Sequence, residues 1–79
     1  MSKIKVGQIY RTPITNYIMV VTYVENDKVS EPFNTVIGVY KDGYGVQMFQ
    51  KEIEGMQLIA ENPTWQEAVN SKEFNNETI

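Results

Sequence analysis

Cysteine and histidine are both absent from the 79-residue chain. Without cysteine the protein can form no disulfide and offers no thiolate ligand. Without histidine it lacks the usual proton carrier near neutral pH and the commonest nitrogen ligand of zinc. The Ser-His-Asp and Cys-His arrangements of hydrolases are therefore impossible within one chain. We expect no metal, no cofactor and no enzymatic activity.

Long apolar runs are absent as well, and positive charge is scarce. No stretch approaches the roughly 18 apolar residues of a membrane-spanning helix, and residues 1–6 lack the apolar segment of a signal peptide. We therefore expect a cytoplasmic protein without membrane contact. The net charge is −3. Because binding to nucleic acid needs clustered Lys and Arg, nucleic acid is the less favoured partner.

Five β-type runs fill the first sixty residues. The clearest pair, Thr35–Lys41 and Tyr44–Gln50, is joined by Asp42-Gly43. Asp-Gly between apolar-rich runs is the strongest short-range signal for a β-hairpin. A single helical turn is expected at Lys51–Gly55, which ends in glycine. The remaining predicted strands are Lys3–Arg11, Tyr17–Val24 and Met56–Ala60.

The last part of the chain predicts a short helix. Thr64 followed by Glu67 is the pattern of a capping box. Three apolar residues then follow at the spacing of one helix face: Trp65, Ala68 and Val69. We predict a helix within residues 64–74 and a frayed tail over residues 75–79. Trp65 is expected to anchor this helix to the sheet rather than to contact a ligand.

The run Tyr17–Val24 is the most hydrophobic stretch of the chain. Side chains of a strand alternate between its two faces. One face is expected to carry Ile18, Val20, Thr22 and Val24, and the other Tyr17, Met19, Val21 and Tyr23. Because neither face is polar, both should be covered. A barrel interior would cover the first face, and the C-terminal helix or a partner chain the second.

The order of these elements resembles that of the SH3-like barrels, whose five strands are separated by a long first loop, a second loop, a tight hairpin and a 3₁₀ turn. The opening segment Lys5-Val6-Gly7-Gln8-Ile9-Tyr10 resembles the start of small uncharacterised SH3-like proteins of phages and bacteria. The resemblance covers residues 3–60. It lacks the acidic first loop and proline-binding aromatic residues of eukaryotic SH3 domains, so it assigns no peptide-binding residues.

We therefore predict one mainly β domain over residues 1–79, a five-stranded antiparallel SH3-like barrel with a short C-terminal α-helix. The barrel is expected over residues 3–60. The alternative is an open antiparallel sheet with the helix across one face. The predicted core residues are Val6, Ile9, Ile18, Val20, Val24, Val36, Val46, Met48, Ile53 and Leu58.

Three functions remain open. The first is a non-catalytic protein-binding module, for example a phage-encoded inhibitor of a host protein, whose expected contact residues are Tyr17, Met19, Val21 and Tyr23. The second is a small barrel that binds nucleic acid or a nucleotide by stacking and charge, with expected contacts at Tyr10, Lys41 and Tyr44. The third is a self-assembling structural protein, most simply a homodimer. The tyrosines would equally cover the rim of a core, because aromatic residues favour strands.

Overall fold

A computed structural model of the protein describes residues 4–75. Within these residues the chain forms five strands and three short helices. In chain order they are β1 (Ile9–Arg11), β2 (Ile18–Val24), β3 (Thr35–Tyr40), β4 (Gly45–Phe49), α1 (Gln50–Ile53), β5 (Gln57–Ala60), α2 (Trp65–Val69) and α3 (Lys72–Asn75). The strands make one antiparallel sheet in the order β4-β3-β2-β1-β5. The prediction of a mainly β chain with five antiparallel strands is confirmed.

The sheet is open. Among the described residues β4 pairs only with β3, and β5 pairs only with β1, so the predicted closure into an SH3-like barrel is not found. A closed barrel has a single interior, whereas this sheet buries apolar side chains on both faces. The alternative prediction, an open antiparallel sheet with a helical segment across one face, describes the arrangement.

The predicted hairpin between β3 and β4 is confirmed. Tyr40 N–H donates to the Tyr44 carbonyl at 2.8 Å, and Gly43 N–H donates to the Tyr40 carbonyl at 2.9 Å. Gly43 has a φ of 96°, a conformation that glycine adopts without steric cost. Asp42 Oδ1 accepts the Tyr44 N–H at 3.1 Å. Residues 41–44 connect the two strands, two residues more than the Asp42-Gly43 turn that the sequence predicted.

Over residues 18–21, strand β2 is buried on both faces, as its composition predicts, whereas Thr22 and Val24 are partly buried and Tyr23 is exposed. The inner core, on one face, contains the buried residues Ile4, Tyr10, Met19, Val21, Val36 and Ile53. The outer core, on the other face, contains Ile9, Ile18, Val20, Ala68 and Phe74. Ala68 belongs to α2 and Phe74 to α3. The C-terminal helices therefore supply the cover of the second face.

The prediction that Met19 and Val21 point outward is wrong. Both side chains are fully buried, because the inner core packs against this face while the helices cover the opposite one. A β-bulge also breaks the alternation, since the register of β2 against β3 shifts between Val21 and Tyr23. Beyond the bulge Val24 packs against the inner core, and Tyr23 takes the outer face.

Most of the predicted core residues do pack in one of the two cores. The exceptions are Leu58, which is exposed on the edge strand β5, and Val6, which is half-buried and belongs to neither core. The first strand is also shorter than the predicted Lys3–Arg11. Gly7, at a φ of 96°, turns the chain just before β1, and Lys3 lies outside the described residues.

The C-terminal helix is divided in two. Thr64 Oγ1 accepts the Glu67 N–H at 3.1 Å, which confirms the predicted cap of α2. Ser71 Oγ accepts the Phe74 N–H at 3.3 Å at the start of α3. Trp65, the predicted anchor, is 39% exposed, whereas Ala68 and Phe74 are buried in the outer core. Of the predicted frayed tail, only residue 75 is described, at the end of α3.

Candidate functional site

The outer face of the sheet is only half covered. Helices α2 and α3 cover the half formed by β1 and the first part of β2. On the other half, four apolar side chains are 37% to 53% exposed: Tyr23, Phe33, Ile37 and Phe49. We call these four residues the outer patch.

Strand register places the patch on one face. Ile37 follows Val36, which is in the inner core, so Ile37 points to the opposite side. Ile37 pairs with Tyr23, and Thr35 pairs with Phe49. Directly opposed residues of antiparallel strands share a face, and Thr35 shares the face of Ile37. Tyr23, Ile37 and Phe49 therefore lie together beyond the edge of the helices.

Phe33 completes the patch from the loop before β3. Its ring centroid lies 5.8 Å from that of Phe49, with the ring planes at 90°, the edge-to-face arrangement that aromatic pairs favour. Lys51 Nζ lies 5.3 Å from the Phe33 centroid, within the range of a cation–π contact. The patch thus has an aromatic cluster with a positive charge at its margin.

A buried polar network holds Phe33 in place. Asn34 Nδ2 donates to Gln50 Oε1 at 3.0 Å, and Asn34 Oδ1 accepts the Asp27 N–H at 3.1 Å. The Gln50 N–H donates to the Asn34 carbonyl at 2.8 Å. Both side chains are buried, and a buried polar group is costly unless paired. These bonds fix the 25–34 loop against the start of α1 and keep Phe33 beside Phe49.

A groove of about 720 Å³ lies next to this network, between the start of the chain and the 25–34 loop. Two lysines and two glutamates are among its lining residues: Lys5, Lys28, Glu25 and Glu31. The opposite charges balance, so the groove carries no field of one sign that would select an ionic ligand.

A smaller cavity of about 210 Å³ lies at the other end of the sheet, beside the β3–β4 hairpin. Its lining includes Tyr17, Tyr40, Lys41 and Asp42. The ring centroids of Tyr17 and Tyr40 are 5.6 Å apart, with an interplanar angle of 68°. This volume is below the few hundred cubic ångströms of typical small-molecule sites.

Tyr10 belongs to a polar cluster at the edge of the inner core. Its hydroxyl donates to Gln8 Oε1 at 2.8 Å, and the same oxygen accepts the Lys5 N–H at 2.8 Å. Burial raises the pKa of Tyr10, and the carboxylates of Glu61 and Glu54 raise it further. A phenol with a raised pKa stays protonated at neutral pH, so it serves here as a hydrogen-bond donor.

The structure separates the residues that the sequence grouped as a partner surface. Met19 and Val21 are buried in the inner core, while Tyr17 lines the small cavity and Tyr23 belongs to the outer patch. The bulge in β2 accounts for Tyr23, which it places on the face opposite to Met19.

The three predicted ligand contacts are separated as well. Tyr10 is buried. Lys41 lines the small cavity, and Tyr44 is exposed at the start of β4 outside that lining. No single surface therefore presents all three.

Sequence reasoning missed Phe33, Ile37 and Phe49 as surface residues. One signal was available: Thr35-Val36-Ile37-Gly38-Val39 has no charged residue on either face, which is unusual for a strand with one face in water. What the sequence could not show is that the helices stop short of this half of the sheet.

Within residues 4–75, no group of three or more acidic side chains is placed to hold a metal ion. In the same range no helix combines the length and apolar character of a membrane span. Comparison of the chain with protein-family models, with curated proteins and with solved structures gives no match.

Proposed function

We propose that this protein is a non-catalytic protein-binding module that binds its partner through the outer patch. The observation that carries the proposal is the half-covered outer face, where three aromatic rings and one isoleucine are left about half exposed. Aromatic residues are enriched in protein interfaces because they bury a large area at low entropic cost. A phage-encoded inhibitor of a host protein would be one such module.

Two other functions receive less support. Nucleic-acid binding calls for a basic surface with stacking aromatic rings, and the net charge of −3 together with the burial of Tyr10 disfavours it. Self-assembly through the predicted strand face would need Met19 and Val21 at the surface, and both are buried.

We also propose that the fold is related to the SH3-like barrels. The supporting features are the strand order, the tight hairpin between β3 and β4, and the helical turn α1 between β4 and β5. On this proposal the C-terminal helices are an addition that covers half of the outer face of the sheet.

Site-specific photo-crosslinking in cells tests the proposed function. A photoreactive benzoylphenylalanine replaces Ile37 in the patch, and the control carries it at Ile14, which is 91% exposed in the β1–β2 loop at the other end of the sheet. We expect one defined crosslinked protein from position 37 that is absent from position 14. Equal products at both positions, or none at position 37, would contradict the proposal.

A further inference from the structure

We infer that the partner binds as an added strand: an extended, uncharged segment pairs with the free edge of β4 and lays alternate apolar side chains beside the outer patch. This inference rests on the proposed function and specifies how the partner is recognised. Strand addition to an open sheet edge is a recurring mode of peptide binding, in which main-chain hydrogen bonds give affinity and side-chain contacts give specificity.

The hydrogen-bond pattern identifies the groups that face the free edge. Tyr40 N–H donates to the Tyr44 carbonyl, and at the other end of the ladder Gln50 N–H donates to the Asn34 carbonyl. Bonded and non-bonded pairs alternate in an antiparallel ladder. The backbone groups of Val46 and Met48 therefore point to β3, and those of Gly45, Gln47 and Phe49 point away from it.

Between Gly45 and Gln47, the free edge of β4 lacks the charged residues, proline and bulges that usually protect a sheet edge. Natural sheets guard an exposed edge with charged residues, proline or a bulge. The sequence Gly45–Phe49 contains no charged residue and no proline, and its register against β3 has no shift. Among the described residues no other strand pairs with it. An edge of this kind is a template for a strand from another molecule.

At the C-terminal end of β4, the carboxylate of Glu52 occupies one of the outward backbone N–H groups. Phe49 N–H donates to Glu52 Oε1 at 2.8 Å, so this outward donor is already taken. The donors left for an incoming strand are Gly45 N–H and Gln47 N–H, with the outward carbonyls beside them. The added segment is therefore short, about four residues at roughly 3.3 Å per residue.

The size of the patch favours a peptide segment over a second copy of this chain. Half-exposure of three aromatic rings and partial exposure of Ile37 amount to about 350 Å² of apolar surface. A stable dimer buries about 800 Å² on each partner, of which about 60%, or roughly 480 Å², is apolar. An extended peptide segment can bind with this smaller apolar contact area, because part of its affinity comes from hydrogen bonds between backbones. β4 itself carries no charged residue, so the residues that pair with it are expected to be neutral, and the one charge noted beside the patch is Lys51 at its margin.

The test uses overlapping 12-residue synthetic peptides that span the protein crosslinked from position 37. We expect one peptide to bind the full chain and to slow amide hydrogen exchange at Gly45 and Gln47 by at least tenfold. The Gln47→Pro variant removes an outward N–H that does not bond within the sheet. It should lower the affinity of the protein for that peptide at least tenfold. Its matched control, Gln47→Ala, likewise removes the glutamine side chain, which lies beside Ile37, but keeps the N–H and should bind within about twofold of the wild type.

The outcomes separate this inference from the proposed function. If Ile37→Ser abolishes binding while Gln47→Pro binds like the wild type and keeps its thermal midpoint, the patch stands and strand addition is wrong. If the protein crosslinked from position 37 is a second copy of this chain, the proposed occupant is wrong. If no protein is crosslinked, both proposals fail together.

Discussion

Met19 occupies the space that a side chain at Gly38 would need. A Cβ at residue 38 would lie 2.6 Å from both Cγ and Sδ of Met19, far closer than carbon and sulfur atoms approach without repulsion. The two residues lie on neighbouring strands, and Met19 is fully buried. The bare backbone at Gly38 is thus what lets Met19 pack in the inner core.

This packing predicts that Gly38→Ala destabilises the protein by about 1–3 kcal/mol, the usual cost of overfilling a core. The matched control is Gly45→Ala on β4, where the nearest heavy atom to the new methyl group is the Gly38 carbonyl oxygen at 3.8 Å. The control should change the free energy of unfolding by less than about 0.5 kcal/mol. Urea unfolding measures both, and equal losses would show that steric contact with Met19 is not the cause.

Comparing alanine substitutions at Gly7 and Gly43 distinguishes the cost of backbone strain from the cost of a steric clash. Gly7 and Gly43 both have a φ of 96°, but a Cβ at Gly7 would collide with the Asn62 carbonyl oxygen, whereas one at Gly43 meets nothing within 4 Å. Gly43→Ala should therefore cost about 1 kcal/mol from the conformation alone. In the same urea titration, Gly7→Ala should lower the free energy of unfolding by clearly more than Gly43→Ala does. A smaller decrease for Gly7→Ala would contradict the close approach of the Asn62 carbonyl to Gly7.

The buried amide pair of Asn34 and Gln50 should both stabilise the protein and hold Phe33 in the outer patch. Asn34→Ala leaves the Asp27 N–H and Gln50 Oε1 without this partner, and an orphaned buried polar group costs about 1–3 kcal/mol. We expect thermal unfolding to shift down and the Phe33 ring resonances to move toward those of an exposed ring. Unchanged Phe33 resonances in a folded Asn34→Ala protein would show that the network does not position the patch.

Stability should fall in alkaline solution because of Tyr10. Its pKa is raised in the folded protein by burial and by the nearby carboxylates, so the unfolded chain ionises first, at about pH 10. The stabilisation is therefore complete below about pH 10 and is lost as the pH rises toward the folded pKa. Tyr10→Phe should remove this part of the alkaline loss while costing about 1 kcal/mol at pH 7 for the bond to Gln8. If the free energy of unfolding falls equally steeply with pH above about pH 10 in the wild type and in Tyr10→Phe, this role of Tyr10 is wrong.

Local signals were sufficient for the hairpin and for the start of α2. Asp42-Gly43 predicts the β3–β4 hairpin, and Thr64 with Glu67 predicts the start of α2, because each depends on a few adjacent residues. Both features are present in the structure. The two-sided burial of residues 18–21 in β2 also followed from its composition, since a strand segment without a polar face must be covered twice.

The candidate surface could not be predicted in the same way. Strict alternation assigns Tyr23 to the face of Met19, but the register shift after Val21 places it on the opposite face. A bulge of one residue has no clear mark in this sequence, and it moves every later side chain of the strand. The extent of helical cover over Ile37 depends on tertiary packing rather than on any local pattern.

The C-terminal helices cover the outer face of the sheet at Val20 and leave it open at Ile37. Broadening of methyl resonances by a neutral paramagnetic cosolute measures this directly, because it reports how closely solvent approaches each methyl group. We expect strong broadening of the Ile37 methyl signals and little for those of Val20 and Val21. Equal protection of Ile37 and Val20, or equal broadening of both, would contradict the half-covered face on which the proposed binding surface depends.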